Sequence, residues 1–293
     1  MTDAGGRKGR PCGTENGAIH GRAILPREYD YLPLSIDLNA DVGEGMDDAA
    51  LMPFVTSANV ACGLHAGDAT VMDGTVSLAL ANGVRVGAHP GYPDRQHFGR
   101  LPVEMPADEV ENLVLYQVAA LDGFVRSRGG TLTHVKPHGA LYHCGAEFPD
   151  VARAIAEGVR RFRPSLVLVG AAASMLIEAG RDAGLAVAEE AFADRRYLPD
   201  GSTVPRGDAR ALITDPDEAA EQSVLLARDR VAIAVDGTRV TVRADTLCLH
   251  GDTPGAERIA RRIHERFRAE GIRIAPLEPG RASRREGVVI PPG

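Results

Sequence analysis

Histidine, lysine and acidic side chains recur at the ends of apolar runs in this 293-residue chain. The segments that carry them read SIDLNAD, ANVACGLHAGD, VRVGAHPGYPD, LTHVKPHGALY, LAVAEEAFADR and TLCLHGD. Side chains of these types transfer protons, stabilise charge on oxygen or bind a metal ion. Parallel strands gather their carboxyl ends at one face, so we expect these residues to line one polar pocket.

The first run carries Asp37, Asn39 and Asp41, which alternate and therefore share one side of a strand. An acidic residue inside a barrel must be paired, hydrogen-bonded or metal-bound, because burying a bare charge is costly. We expect Asp41 to be catalytic and Asp37 and Asn39 to contact the substrate. The alternative is loop structure, since Asp and Asn beside Gly also form turns.

Four histidines, His65, His89, His138 and His250, each stand just past or at the end of a predicted strand. We expect His65 and His138 to be catalytic, and His89 and His250 to bind substrate. A divalent metal site is the alternative, with His65, His138 and Asp41 as candidate ligands. Histidines spread over different strands are not a specific metal signature, so the spacing leaves this question open.

Lys136 lies at the end of the fourth run, in the sequence Lys-Pro-His-Gly. A lysine there can hold a carboxylate or polarise a carbonyl, so we expect it to be catalytic. The alternative is a structural ion pair with Asp37 or Glu190. After the sixth run, Glu190 and Arg195 are predicted substrate contacts. Arg195 suits a bidentate carboxylate contact, although it can equally pair with Asp194 or Glu190.

Further predictions concern a long connecting segment, a helix cap and a cysteine. Segment 91–106 is long for a connection and is predicted to form a pocket wall, from which Asp94 contacts substrate. Asp68 is predicted to cap the helix that follows it. Cys62 lies within an apolar run and is predicted to be a buried structural thiol rather than a nucleophile.

The elements that must position these residues alternate between strand and helix. Strands are predicted at 35–39, 59–62, 84–88, 131–136, 166–169, 185–189 and 246–249, with a hairpin over 231–242 and an edge strand at 271–275. Helices are predicted at 47–56, 72–82, 107–128, 151–161 and 215–228. Two more helices are predicted, one that ends at residue 183 and a final one that ends at about residue 270. The alternation favours an α/β fold whose seven or eight mostly parallel strands close into a (β/α) barrel. An open doubly wound sheet is the alternative.

Composition and the absence of certain motifs argue against several classes of function. Hydrophobic residues make up 44% of the chain, and the formal charge is 33 − 40 = −7. The absence of a basic block argues against a nucleic-acid partner. No apolar run reaches the roughly 18–20 residues that span a bilayer. The sequence contains neither GxGxxG nor GxxxxGK[ST], so we expect no ATP site in the chain itself.

The two terminal segments indicate the domain boundaries, and the cysteines indicate the cellular compartment. Residues 1–33 contain no apolar signal region and are predicted to be a disordered or loosely packed extension. A single barrel domain is predicted at 34–276, followed by a flexible tail at 277–293. The four cysteines form no CxxC pair, so we expect reduced thiols in a cytoplasmic protein.

Taken in order, seven motifs resemble the LamB/YcsF family. They are DLNADVGEG (37–45), SANVACGLHAGD (57–68), GAHPGYPDRQHFGR (87–100), HVKPHGALY (134–142), EEAFADRRY (189–197), VPRG (204–207) and CLHGD (248–252). The resemblance covers about residues 35–275. Seven motifs in a fixed order are far more specific than any one of them.

The resemblance implies a (β/α) barrel related to the polysaccharide-deacetylase-like superfamily. It also implies the A subunit of an ATP-dependent 5-oxoprolinase, which opens the lactam of 5-oxo-L-proline to L-glutamate together with subunits B and C. ATP handling by those partners fits the missing phosphate loop. Two alternatives remain: a metal-dependent amide or carbohydrate deacetylase-like hydrolase, and a substrate-binding subunit without chemistry of its own.

Overall fold

Seven parallel strands pair side by side and close into a ring. The computed structural model describes residues 34–277. Its strands are β1 Ser35–Val42, β2 Ser57–Ala61, β3 Arg85–His89, β4 Leu132–Val135, β5 Val167–Ala171, β6 Ala186–Phe192, β7 Val231–Ile233, β8 Arg239–Thr241, β9 Thr246–Cys248 and β10 Arg273–Ile274. Its α-helices are α1 Asp48–Leu51, α2 Ala69–Ala81, α3 Ala107–Ser127, α4 Gly139–Glu147, α5 Pro149–Phe162, α6 Met175–Asp182, α7 Pro216–Val224 and α8 Ala256–Ala269.

The ring runs in the order β1-β2-β3-β4-β5-β6-β9, and β9 pairs in turn with β1. Asp37 of β1 lies opposite Thr246 of β9, and Glu190 of β6 lies opposite the same Thr246. The predicted seven-stranded (β/α) barrel is therefore confirmed. The predicted edge strand is the short β10, which pairs with β1 in parallel outside the ring. The predicted extensions at 1–33 and 277–293 lie outside the described residues, apart from Leu277.

Alternation along the strands divides the apolar from the polar residues. In β1, Leu38 and Ala40 join the apolar core outside the ring, whereas Asp37, Asn39 and Asp41 face the interior as predicted. Every residue of β1 after Ser35 is buried. Strands covered on both faces are typical of parallel barrels, because helices pack against the outside.

The helices cover the barrel with apolar stripes at helical spacing. Helix α3 buries Val110, Val114, Val118, Leu121 and Val125, whose steps of three and four residues keep them on one face. Helix α2 is preceded by Asp68, whose side chain accepts a hydrogen bond from the backbone N–H of Val71, so the predicted cap is confirmed. None of the helices within residues 34–277 has the length and apolar character that a membrane crossing requires.

Several boundaries differ from the sequence prediction for local reasons. Strand β6 extends to Phe192, so Glu190 lies inside the strand rather than after it. The helix predicted at 47–56 is split, because Pro53 opens a 3₁₀ turn at Met52–Phe54. Helix α4 was not predicted, since Pro137 and Gly139 at its start indicate a turn. The predicted hairpin is formed by the antiparallel strands β7 and β8.

Candidate functional site

Lys136 is the centre of a buried polar network inside the barrel. It follows β4 and is 3% exposed. Its Nζ lies 2.9 Å from Oδ1 of Asp41 and 2.8 Å from Oε1 of Glu190. It also donates to Oδ1 of Asn39 and to Sγ of Cys248, both at 3.2 Å. Burial opposes the charge of Lys136, but the carboxylate of Asp41 outweighs it and the pKa of Lys136 rises well above its usual range.

Amide and hydroxyl groups hold the carboxylates around Lys136 in place. The amide of Asn39 donates to Glu190 at 3.1 Å, and the hydroxyl of Tyr142 donates to the other oxygen of Glu190 at 2.8 Å. The amide of Asn59 donates to Asp41 at 2.9 Å and to Asn39 at 2.8 Å. These bonds satisfy the acceptor oxygens that burial removes from water, which keeps both carboxylates pre-oriented.

Three histidines and Glu44 form a second cluster, directly beside Asp41. Oε1 of Glu44 lies 3.0 Å from Nε2 of His65, 3.0 Å from Nδ1 of His138 and 3.6 Å from Nε2 of His89. The rings of His65 and His138 stack with centroids 3.8 Å apart. These four ligand atoms lie within 4.8 Å of one another, a spacing compatible with a shared metal ion. We call these four residues the His/Glu cluster.

Backbone carbonyls fix the tautomers of two of these histidines. Nδ1 of His89 lies 2.7 Å from the carbonyl of Lys136, and Nε2 of His138 lies 2.8 Å from the carbonyl of Phe98. A carbonyl only accepts, so each of these nitrogens carries a hydrogen and the other ring nitrogen of the neutral ring is an acceptor. Those two acceptor nitrogens, Nε2 of His89 and Nδ1 of His138, face each other at 3.0 Å. Only a cation between them, a metal ion or a proton, makes that contact favourable.

Ionisation within the His/Glu cluster follows from burial and proximity. Burial opposes a charge on Glu44, but the close contacts with His138 and His65 outweigh it and lower the pKa of Glu44 well below its usual range. Because Nε2 of His138 already donates to the carbonyl of Phe98, its Nδ1 can donate to Glu44 only when the ring is protonated. Burial lowers the pKa of His65 to about 4, so this ring is neutral near pH 7. Burial also works against a charged His89, but the carboxylate of Asp41 prevails and raises the pKa of His89.

Phe98, in the segment between β3 and α3, closes one side of the His/Glu cluster. Its backbone is left-handed, with φ +58°, a conformation rarely adopted by a bulky side chain. This conformation accompanies the placement of its carbonyl on His138. Its ring meets those of His65 and His138 edge to face, with centroids 5.9 and 5.3 Å away. The predicted pocket wall at 91–106 therefore contacts the site through Phe98.

His250, after β9, belongs to a further pair at the same mouth. Its Nδ1 lies 2.9 Å from Oδ1 of Asp194, whose other oxygen accepts from the hydroxyl of Thr253. Burial disfavours the Asp194 charge, but His250 outweighs it and lowers the pKa of Asp194. A ring nitrogen of His250, a carboxylate oxygen of Asp41 and the sulfur of Cys248 lie within 4.8 Å of one another, so His250 faces the network around Lys136.

Eight of the predicted site residues meet at the mouth of the barrel: Asn39, Asp41, His65, His89, Lys136, His138, Glu190 and His250. Asp37 lies deeper, where Ser57, Thr56 and Thr246 donate to it, and burial raises its pKa. Asp94 accepts from His97 on the wall segment.

For Lys136 and Arg195, the sequence analysis gave a structural ion pair as the alternative to a role in the site. Lys136 pairs with Glu190, one of the two partners considered, and not with Asp37. Arg195 donates to the carbonyl of Val204 at 2.6 Å, and the ion pairs among residues 34–277 include none between Arg195 and Asp194 or Glu190. Cys62 is buried, and burial raises the pKa of its thiol to about 12, as expected of a structural thiol.

The sequence analysis assigned no role to some residues that the structure places in the site. Glu44, in the loop after β1, reaches three histidines, and Asn59 links Asp41 to Asn39. Alternation of Ser57 with Asn59 along β2 was a usable signal for Asn59. Tyr142 lies on α4, which was not predicted, so its contact with Glu190 had no sequence signal.

Fold and site together define a (β/α)-barrel protein with a charged, enzyme-like centre at the carboxyl ends of its strands. The model of the LamB/YcsF family matches residues 36–282. The chain is 53% identical to the A subunit of 5-oxoprolinase from Methylococcus capsulatus over 249 residues, covering 83% of this chain and 96% of that protein. It is 48% identical to the A subunit of 5-oxoprolinase from Geobacillus kaustophilus, covering 86% and 99%.

A solved structure agrees with these sequence relatives. The lactam utilization protein of Thermus thermophilus superposes with a TM-score of 0.79 at 42% identity, covering 83% of this chain and all of that one. The chain belongs to the LamB/YcsF family. The resemblance deduced from the seven motifs is thereby confirmed.

Proposed function

We propose that this protein is the A subunit of an ATP-dependent 5-oxoprolinase, which converts 5-oxo-L-proline to L-glutamate with subunits B and C in the cytoplasm. Relatives at about half identity are named as the A subunit of 5-oxoprolinase. The observation that carries the proposal is the charged centre around Lys136 and the His/Glu cluster, since a base for water and a positive group beside the oxygen both promote the opening of an amide.

The chemistry explains why other subunits are required. A lactam is a resonance-stabilised amide in a nearly unstrained ring, so water alone attacks it slowly. Phosphorylation of the amide oxygen makes the ring carbon a better electrophile. This chain has no GxxxxGK[ST] loop, so we assign ATP binding to the partner subunits and the attack of water to this barrel.

Within this barrel the residues divide by chemistry. Asp41 is held ionised by His89 and Lys136, because their charges outweigh the effect of burial and lower the pKa of Asp41. We assign Asp41 or the neutral His65 as the base that activates water, and Lys136 and His138 as the groups that stabilise charge on the oxygen. The proposed substrate contacts are Asp37, which lies deeper in the barrel, and Asn39, His89, Asp94, Glu190, Arg195 and His250.

A divalent metal fits the His/Glu cluster. The carbonyls of Lys136 and Phe98 turn an acceptor nitrogen of His89 and of His138 inward, as in metal sites whose histidines are oriented by outer hydrogen bonds. Three imidazoles with one carboxylate are a zinc-type donor set. Bound there by Glu44, His65, His89 and His138, such an ion would supply Lewis acidity next to Asp41.

The test is glutamate formation by the complete three-subunit complex supplied with 5-oxo-L-proline and ATP. Asp41→Asn should reduce turnover by two or more orders of magnitude, whereas Asp73→Asn, in an exposed ion pair on α2, should leave it unchanged. A wild-type complex that forms no glutamate, or an Asp41→Asn complex with normal turnover, would refute the proposal. Variants that change only KM would support the substrate-binding alternative instead.

The His/Glu cluster also favours one second candidate, a metal-dependent amide or carbohydrate deacetylase-like hydrolase. This candidate requires activity without ATP or partner subunits. The purified protein, analysed for metal content and assayed with N-acetylated sugars and amides, separates the two. Release of acetate by the zinc-loaded chain alone supports the second candidate. Zinc binding without acetate release leaves zinc as a component of the proposed 5-oxoprolinase.

A further inference from the structure

Arg195 is a buried cation that forms no ion pair within residues 34–277. It is 4% exposed and lies just past β6 at the mouth. One Nη2 hydrogen bond goes to the carbonyl of Val204, while its Nε is buried without any partner in the described structure. The neighbouring Asp194 is already committed to His250 and Thr253. Because a buried guanidinium without an anion is unfavourable, this position is suited to an anionic ligand.

Two further guanidinium groups lie on the same side of the mouth. Arg206 is two residues beyond Val204, and Arg100 comes from the wall segment after β3. Both contact the single carboxylate of Asp252, at 3.1 and 2.7 Å. Within residues 34–277 these three guanidinium groups form ion pairs with one carboxylate, that of Asp252, so two of the three positive charges are not balanced by an ion pair. Arg206 is close enough to act on Arg195: the pKa of Arg195 is lowered first by burial and then by the positive charge of Arg206.

This cationic rim, Arg100, Arg195 and Arg206, borders the proposed catalytic centre. The guanidinium of Arg100 lies 4.9 Å from the centroid of the Phe98 ring, which in turn contacts His65 and His138. His143 on α4 lies close to Arg195, since the pKa of His143 is lowered first by burial and then by the charge of Arg195. An anion on the rim would therefore lie beside the His/Glu cluster.

We propose that Arg195, Arg206 and Arg100 form a phosphate subsite that holds the phosphoryl group of the phosphorylated lactam. This proposal rests on the proposed function and specifies which chemical form of the substrate the barrel receives. An excess of two charges matches a phosphate dianion, whereas a carboxylate needs one guanidinium only.

Holding the phosphoryl group also decides the outcome of the reaction. Water adds its oxygen to the ring carbon and gives a proton to the base, which leaves nitrogen and phosphate as competing leaving groups. Loss of phosphate first re-forms the lactam and wastes the ATP. When the C–N bond breaks instead, its electrons and a proton go to nitrogen and an acyl phosphate remains. A second water then displaces phosphate and yields the carboxylate. A clamp on the phosphate favours the productive order.

Binding of inorganic phosphate to the purified full-length chain tests the subsite, with acetate at equal ionic strength as the carboxylate probe. Calorimetry should show phosphate binding at least tenfold tighter than acetate. Arg206→Gln is chosen because this side chain is partly exposed, and it should weaken phosphate binding at least tenfold. Arg210→Gln, in the same loop but paired with Asp208, is the matched control and should bind as the wild type does. Equal binding of phosphate and acetate, or an unchanged Arg206→Gln, overturns the proposal.

The complete complex separates failure of the subsite from failure of the proposed function. In Arg206→Gln, the ratio of ADP formed to glutamate formed should rise above that of the wild type, because phosphate is lost early. A constant ratio overturns the clamp even where the wild type turns over normally. If the wild-type complex forms no glutamate but the chain binds phosphate through Arg206, the anion site stands and the assigned reaction is wrong.

Discussion

Lys136→Met removes a cation from between two buried carboxylates. Each ion pair, at 2.8 and 2.9 Å, has an attraction of about 6 kcal/mol at an effective dielectric constant of about 20. Much of that attraction is offset by the cost of burying the charges. Removing one member of such a buried pair costs about 3–5 kcal/mol, a large part of the total stability of about 5–15 kcal/mol. We expect a folded but clearly weakened variant.

The double variant Lys136→Met, Glu190→Gln separates stability from catalysis. Neutralising Glu190 removes one of the two stranded charges, so about half of the lost stability should return. Turnover should not return, because the cation that stabilises charge on the substrate oxygen is still missing. Loss of one such group typically costs about 3–4 kcal/mol in the transition state, or about 10²–10³-fold in rate.

Urea unfolding of the purified chain and glutamate formation by the full complex measure the two effects. The single variant should unfold at a lower urea concentration than the wild type, and the double variant between the two. Two results would refute the reasoning: a single variant as stable as the wild type, or a double variant whose turnover recovers together with its stability. The second result would mean that Lys136 acts only as a structural ion pair.

Three further predictions concern pH, packing and the wall segment. Burial lowers the pKa of His134 to about 3. The unfolded chain therefore takes up this proton first as pH falls below about 6.5, and folded stability drops between about pH 6.5 and pH 3; His134→Gln should flatten that slope in urea titrations. A Cβ at Gly87 would lie 2.1 Å from the His134 ring, so Gly87→Ala should cost about 1–3 kcal/mol or more in thermal unfolding. Gly123→Ala, which meets open space on α3, should be neutral or stabilising by up to about 1 kcal/mol; equal effects at both glycines would contradict this packing. Phe98→Ala should weaken zinc binding about 10–100-fold, measured by competition with a chelator, because the ring that packs against His138 is lost; undiminished affinity would show that the backbone alone orients that histidine.

The strand ends could be predicted from sequence because their signal is local. Alternation over Asp37, Asn39 and Asp41 predicted which side chains face inward, and short apolar runs located all seven strands of the ring. The sequence also placed Lys136 at the end of the fourth strand, but it placed Glu190 after β6 rather than inside it. It did not show that their charges meet at 2.8 Å, because that contact depends on how the ring closes.

The remaining features depend on contacts between segments far apart in the chain. The tautomer of His138 is fixed by the carbonyl of Phe98, forty residues earlier, through a left-handed backbone that no local pattern indicates. Arg195 was predicted as a substrate contact, but the lack of an ion pair for it within residues 34–277 becomes visible only when Asp194 is seen bound to His250. Sequence patterns identify candidate groups, whereas tertiary contacts determine their protonation and charge balance.

Closure of the ring also determines when the site can first exist. Strand β1 pairs with β9, and the hydroxyl of Thr246 reaches Asp37 across 209 positions of the chain. Asn39, at the heart of the Lys136 network, donates to the same Thr246. A chain emerging from the ribosome therefore carries most of its polar centre in an open, incomplete sheet until the last barrel strand arrives. Pairings over such long separations form slowly, so the centre is assembled at the end of folding. Fragments that stop before β9 lack the groups that complete the centre.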